Sequence, residues 1–292
     1  MWGWVGPGVQ TGMRGGTGLR RGADVMWSGL RAGVAWPTRV RLPGPDQTAA
    51  PFDRSRRAAK RTGDVVVAAV LLIVLLPVFV VVAVAVVVET PGPVFYRAQR
   101  TGHRSAPVGV LKFRKMRLDA GGRALTARHD ERLTRVGALL VRGHLDELPQ
   151  LWNVLRGDMS LVGPRPEDPR FAALHPDAYR VIAAVRPGLT GWTQLVWVDE
   201  CDALAAAPDP VRCYVDEVLP RKVELDVAYT RAPRLATDLK ILLWTPLVLV
   251  LGLGAVVDLE HREVRLVRSR PRWHTERRDS ARPAPVVEEA AR

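Results

Sequence analysis

From Val65 to Val88 the chain runs for 24 residues without a charge. As a helix this run would measure about 36 Å at roughly 1.5 Å per residue, enough to cross a bilayer. Pro77 interrupts it. Proline donates no backbone N–H and its ring crowds the carbonyl four residues back, here Ile73, so the pattern predicts two half-helices with a break or strong kink at the proline. Arg54, Arg56, Arg57, Lys60 and Arg61 precede the run, and Arg97, Arg100 and Arg104 follow it. Both flanks therefore carry the cytoplasmic signature of the positive-inside rule. A single span would export one basic flank, whereas a hairpin keeps both inside, so residues 59–90 are read as a re-entrant membrane helix.

Polar and apolar positions downstream predict shorter elements. TPGPVFYRAQRTG reads as a turn into a strand, and VGVLKFRKMR as a second strand. Leu133, Val136 and Leu140 share one face of a helix over 130–142, with Arg132, Arg135 and Arg142 largely off it, a pattern suited to anionic lipid. Leu148, Leu151, Trp152 and Leu155 recur at i, i+3, i+4 and i+7, predicting a helix that buries that face and ends at Gly157. This phasing puts Asp146 at the N-cap, Glu147 at the first helical position and Pro149 in the first turn. The run from Ile241 to Val257, with Trp244 and an internal Pro246, is short for a span and reads as an interfacial segment. Residues 1–58 and 259–292 are rich in Gly, Arg and Pro without apolar periodicity. They are expected to form a disordered basic arm and a disordered tail.

Composition adds a preference for anions. In 292 residues, 43 Lys and Arg face 30 Asp and Glu, a formal net charge of +13. Such an excess suits nucleic acid, anionic lipid or phosphorylated substrates, and does not choose among them. Lysine occurs only as Lys60, Lys112, Lys115, Lys222 and Lys240, so most cations are arginines, the better fork for phosphate. Cys201 and Cys213 match no CxxC or zinc spacing, which suits a reducing compartment. The first residues lack the apolar core of a secretory signal, so export of the chain is not expected. A membrane-tethered nucleic-acid binder is the alternative on charge alone. Against it, aromatics are not interleaved with the basic residues, no recognition motif appears, and no specific nucleic acid is expected. GxxxxGK[ST] is absent from the sequence.

Candidate chemistry gathers in HLDELPQLWNVLRGDMSLVGPRPE, from His144 to Glu167. Taken alone, Asp146 and Glu147 are ordinary helix-capping residues. Their neighbourhood changes that reading: Arg165 is held between Pro164 and Pro166, Arg186 follows in VRPGLTGWTQL, and Lys112 and Arg114 precede in LKFRKM. Proline-flanked arginine suits fixed recognition of phosphate, and paired carboxylates suit Mg²⁺ or nucleophilic attack.

In this order the motifs resemble those of the bacterial sugar transferases, the monotopic phosphoglycosyl transferases. The resemblance runs from about Lys60 to Ala255 and covers KRTGD before a proline-broken apolar segment, TPGPVFYRAQRTG, LKFRKM, LDELPQLWNVLRGDMSLVGPRPE, VRPGLTGWTQL, KVELDVAY and TDLKILLWTP. It implies an α/β, mainly α, fold: a small monotopic membrane catalytic domain over 91–258, with interfacial amphipathic helices beside the re-entrant helix. It implies that Asp146 attacks the β-phosphate of a UDP-sugar, expelling UMP and leaving a covalent sugar-phosphate that polyprenyl phosphate then accepts. Glu147 would bind Mg²⁺. Pro164, Arg165 and Pro166 match the element associated with nucleotide or phosphate binding, with Lys112, Arg114 and Arg186 as further substrate-binding candidates. The expected location is the cytoplasmic face of the inner membrane, with anionic lipid as a partner and a homo-oligomer compatible with the reading. His144 departs from the pattern, since the family more often has a small hydroxylated residue there.

Overall fold

The computed structural model describes residues 54–120, 125–126, 130–259 and 263–268, all within the unit formed by residues 42–292. The apolar run folds as two helices, α1 (Arg54–Val74) and α2 (Leu76–Glu89), bent by 61° where they meet. Pro77 occupies the first turn of α2, where its missing N–H costs no helical hydrogen bond. The break therefore falls at Leu75, just ahead of the proline rather than on it. Among the described residues no single helix is long and apolar enough to cross a membrane, but this bent pair meets the criterion of length and composition together.

The KRTGD residues fasten α1 to the rest of the unit. Lys60 Nζ donates to Asp238 Oδ2 at 2.7 Å, and Arg61 donates to the carbonyls of Val154 and Leu155 at 2.6 and 2.9 Å. Asp64 accepts from Ser160 Oγ at 2.7 Å and from Leu161 N at 3.3 Å. On α2, Val82 and Val86 pack with Phe113 and Leu140, while Val80, Val81, Val84 and Val88 stay exposed.

Next, β1 (Phe95–Thr101) pairs antiparallel with β2 (Pro107–Phe113), Ala98 opposite Val110, as the alternation predicts. The amphipathic helix is shorter than expected: α3 spans Arg135–Arg142, because Thr134 caps it by accepting from Gly137 N at 2.9 Å. Its Val136 and Leu140 face α2 and Phe113, so that face is used for packing.

The following helix, α4 (Gln150–Arg156), stops at Gly157 with φ +90°, a left-handed cap that glycine adopts without strain. Leu151 is buried as predicted, but Trp152 is 53% exposed and Asn153 is buried instead. Asn153 is drawn inward by the hairpin: its Nδ2 donates to Gly109 O and its Oδ1 accepts from Leu111 N, both at 2.9 Å.

Two motifs then meet in a parallel pair, β3 (Ser160–Val162) and β4 (Gly188–Thr190). Their approach requires glycine, since a Cβ on Gly188 would fall 2.1 Å from Gly163 N and one on Gly191 2.2 Å from Gly163 O. Between these strands lies α5 (Pro176–Ile182), which packs on α6 (Leu219–Arg231). The last helix among the described residues, α7 (Leu235–Leu251), keeps Pro246 inside it, buries Asp238, Ile241 and Val248, and exposes Leu235, Leu239, Leu243 and Leu247.

The apolar run from Ile241 to Val257 is split rather than continuous. Gly252 closes α7 at φ +67°, and β5 (Gly254–Asp258) pairs antiparallel with β6 (Glu263–Val267). This corrects the expected tail, because Val264 and Ala255 provide the hairpin with buried apolar positions. It also corrects the arm boundary, since residues 54–58 are already helical. The rest of the expected arm and tail lies outside the described residues. With three two-stranded sheets among mainly helical elements in the described residues, the α/β, mainly α, class holds.

Candidate active site

Asp146 and Glu147 do not occupy a helix N-cap and first position. They lie in a 3₁₀ turn, Leu145–Glu147, entered through His144 in the left-handed region at φ 53°, while Pro149 stands at the N-cap of α4. The reason is chemical: Pro149 has no N–H to return to Leu145, so the segment before it takes bonds that span three residues, Glu147 N to His144 O at 3.4 Å and Leu148 N to Leu145 O at 3.2 Å. The electrostatic partners of the dyad are consequently side chains rather than a helix dipole.

Three cations converge on these two carboxylates. Lys112 Nζ, from β2, donates to Glu147 Oε1 at 2.7 Å, and Arg165 Nη2 reaches the same oxygen at 3.1 Å. Lys115 Nζ donates to Asp146 Oδ2 at 3.0 Å. Asp146 is buried. Burial works to raise the Glu147 carboxyl, but Arg165 and Lys112 outweigh it and hold the group well below the ordinary carboxylate range. Burial lowers Lys112, with Glu147 opposing, whereas Arg165 is raised by Glu147. Glu147 is thus ionised, and the surplus cation suits an incoming polyanion.

Arg165 is positioned from behind by a buried polar layer. Its backbone N–H donates to Asp226 Oδ2 at 3.3 Å, and Thr193 Oγ1 donates to Asp226 Oδ1. The carbonyl of Pro164 accepts from Gly188 N at 2.8 Å, tying the proline-flanked loop to β4. One turn before Asp226 on α6, buried Lys222 donates to Tyr214 Oη at 2.9 Å and to Glu200 Oε2 at 3.0 Å, and Tyr214 donates to Glu167 Oε2 at 2.5 Å. Burial pushes Asp226 up to about 7, against the hydrogen bond from Thr193 and the charge of Lys222.

Of the residues singled out from sequence, Asp146, Glu147, Lys112 and Arg165 come together, with Pro164 and Pro166 flanking Arg165 in the chain. Arg114 and Arg186 do not join them. Buried Arg114 donates to the carbonyls of Val86, Thr90 and Pro91 and to Thr90 Oγ1, where its charge complements the C-terminal end of α2. Arg186 Nε donates to Gly157 O at 2.8 Å, at the end of α4 that Arg61 also caps. Each caps a helix end in this structure. Lys115, Asp226 and Lys222 were missed as site residues, although LKFRKM and KVELDVAY contain them; the signal available was an ionisable residue inside a motif otherwise explained by packing.

The model of the family described as "Bacterial sugar transferase" matches residues 55–252, which include every residue of this site. The chain belongs to the bacterial sugar transferase family. It is 37% identical over 205 residues to the UDP-glucose:undecaprenyl-phosphate glucose-1-phosphate transferase of Escherichia coli, covering 67% of this chain and 41% of that relative. A protein of the same name from Caulobacter vibrioides is 41% identical over 192 residues, 64% of this chain and 67% of the relative. The UDP-N-acetylgalactosamine-undecaprenyl-phosphate N-acetylgalactosaminephosphotransferase of Aeromonas hydrophila is 34% identical over 201 residues, 67% and 44% of the two chains. The matched part is thus about two fifths of the length of the Escherichia coli and Aeromonas relatives. Membership of the bacterial sugar transferase family favours the transferase reading over the nucleic-acid alternative.

Proposed function

We propose that this chain transfers a sugar-1-phosphate from a UDP-sugar to polyprenyl phosphate, releasing UMP, through a covalent phosphosugar on Asp146, as the initiating step of exopolysaccharide or glycoconjugate synthesis. The observation that carries this reading is the convergence of Lys112, Lys115 and Arg165 on the adjacent Asp146 and Glu147. A carboxylate must approach a diphosphate, and cations beside it reduce the mutual repulsion. Asp146 Oδ2 is taken by Lys115, whereas Oδ1 accepts no hydrogen bond among the described residues, leaving an oxygen for attack. Relatives named for glucose and for N-acetylgalactosamine leave the sugar to be determined by assay.

Mg²⁺ fits the donor set of the dyad. Among the described residues no three His, Cys, Asp or Glu side chains gather around one point, and Mg²⁺ is commonly held by one or two carboxylates together with substrate phosphates. Glu147, with Asp146 beside it, would hold the ion, which when bound supplies further neutralisation of the diphosphate. Arg165 and Lys112 keep Glu147 ionised and oriented.

The membrane reading is a re-entrant hairpin at the cytoplasmic face of the inner membrane, held against anionic lipid. Its support is that both ends of the bent pair are fastened to the same body: α1 through Lys60, Arg61 and Asp64, and α2 through Arg114 at its carbonyls. The activity is tested by incubating the purified chain with UDP-sugars, Mg²⁺ and polyprenyl phosphate. UMP release that Asp146→Asn abolishes supports the reading; undiminished release by that variant overturns the nucleophile assignment.

A further inference from the structure

The cations of the site are divided unequally. Lys112 and Arg165 share one oxygen of Glu147, and among the described residues Lys115 alone hydrogen-bonds the Asp146 carboxylate, at 3.0 Å. This ion pair is shielded, with side-chain exposures of 20% for Lys115 and 6% for Asp146.

The backbone of Lys115 is clamped as well. Its carbonyl accepts from Thr134 N at 3.0 Å, and Gly137 lies so close that a Cβ there would stand 1.9 Å from that oxygen. Gly137 belongs to the first turn of α3, which Glu89 caps from α2 by accepting from Arg135 N at 2.6 Å and Val136 N at 2.9 Å. A chain of short contacts thus runs from the end of the apolar hairpin, through α3 and Lys115, to Asp146.

We infer that Lys115 is the working partner of the nucleophile: it holds Oδ2 so that Oδ1 faces the β-phosphorus, and it then neutralises the phosphoryl group that Asp146 has accepted. The inference rests on the transferase reading above. In the first step a bond forms between Asp146 Oδ1 and the β-phosphorus. The bond from that phosphorus to the bridging oxygen breaks, and its electron pair leaves with UMP. Asp146 passes from carboxylate to an uncharged acyl carbonyl, so Lys115 loses its anionic partner as an anionic phosphodiester appears on the other oxygen of the same group. A flexible ammonium with three donors can follow that shift of charge. When an oxygen of polyprenyl phosphate attacks the phosphorus, the Asp146–phosphorus bond breaks and the carboxylate returns to Lys115.

The test uses the full chain in detergent or nanodiscs, single turnover, with Mg²⁺ and whichever of UDP-glucose, UDP-galactose, UDP-N-acetylglucosamine and UDP-N-acetylgalactosamine the wild type turns over fastest. UMP release and the intact mass of the protein are both followed, without carrier. Lys115→Met and Lys115→Gln should each slow UMP release at least about tenfold, with the half-saturating UDP-sugar concentration moving less than about threefold. Lys115→Arg, which restores the charge, should recover to within about threefold. Neutral variants at the wild-type rate, an arginine variant as slow as methionine, a loss confined to the half-saturating concentration, or slowing seen only in variants whose unfolding midpoint also drops would each overturn the inference. A different result marks failure of the underlying reading: a wild-type chain that releases UMP only with carrier present and never gains mass has no covalent intermediate, and the role of Lys115 falls with it.

Discussion

Arg165 Nη2 stands 3.1 Å from Glu147 Oε1, and the backbone N–H of the same arginine donates to Asp226 Oδ2. One residue therefore joins the dyad to the buried layer on α6, and its position depends on both ends. Proline on either side reduces the backbone freedom of the loop that carries the guanidinium.

Removing that guanidinium should be costly for chemistry. Arg165→Ala leaves Glu147 with Lys112 alone and is expected to lower kcat/KM for UMP release by about a hundredfold or more. Arg165→Lys keeps the charge but loses the planar fork, and should fall between the two. Steady-state assays of both variants at matched folded concentration check the order; an alanine variant equal to lysine would place the contribution elsewhere than in charge.

Asp226 gives the fold a pH dependence. Its carboxyl is raised by burial from 3.8 to about 7, so between these values the folded state binds the proton more tightly than the unfolded chain. Stability from this group is accordingly present at low pH and lost as pH rises through about 7. Asp226→Asn cannot titrate, and its amide oxygen can still accept from Arg165 N–H. Thermal unfolding measured from pH 4 to 8 should show the wild type losing stability relative to this variant across the window. Parallel curves would show that Asp226 does not titrate there.

The dyad, Lys112 and Arg165 were legible because motif chemistry and spacing point the same way. The misplacements have a shared cause: periodicity gives a face but does not say what lies opposite it. Trp152 fits the apolar repeat, yet Asn153 wins the buried position by satisfying the edge of the β1–β2 hairpin at Gly109 and Leu111. Arg114 sits two residues from Lys112 in the same motif, but the strand ends between them at Phe113, and Arg114 turns to the carbonyls at the end of α2 while Lys112 turns to Glu147. Lys115 and Asp226 needed tertiary contacts, since nothing local to LKFRKM or KVELDVAY says which ionisable group meets the site.

The reassignment of Arg114 is itself testable. As a cap on Val86, Thr90 and Pro91, its loss strands carbonyls at the end of α2. Arg114→Met should lower stability by about 1–3 kcal/mol with little change in kcat per folded molecule. A large rise in the KM for UDP-sugar at unchanged stability would return Arg114 to substrate binding.

Gly137 offers a separate check on how Lys115 is seated. An added methyl would meet the Lys115 carbonyl at 1.9 Å, and α3 would have to move away from that backbone. Gly137→Ala is expected to cost about 1–3 kcal/mol, despite alanine's better helix propensity. Chemical denaturation measures this, and a stabilised variant would show that the contact yields.

In the proposed reaction a soluble UDP-sugar and a lipid phosphate must reach one dyad, and the topology of the bent pair decides how. If α1 and α2 form a hairpin within one leaflet, residues ahead of α1 and residues after α2 share a side, as the common fastening of Lys60, Arg61, Asp64 and Arg114 requires. A single span would separate them and break the α1 contacts, leaving the buried Asp64 without Ser160 and Leu161 and the buried Asp238 without Lys60. In intact cells, with Cys201 and Cys213 replaced, single cysteines at Ser55 and at Ser105 should both resist a membrane-impermeant thiol reagent added outside. Both should react once the inner membrane is permeabilised. Labelling of either position from outside would restore the span, and the dyad would then lie on the side of Ser105, which follows α2 as the dyad does.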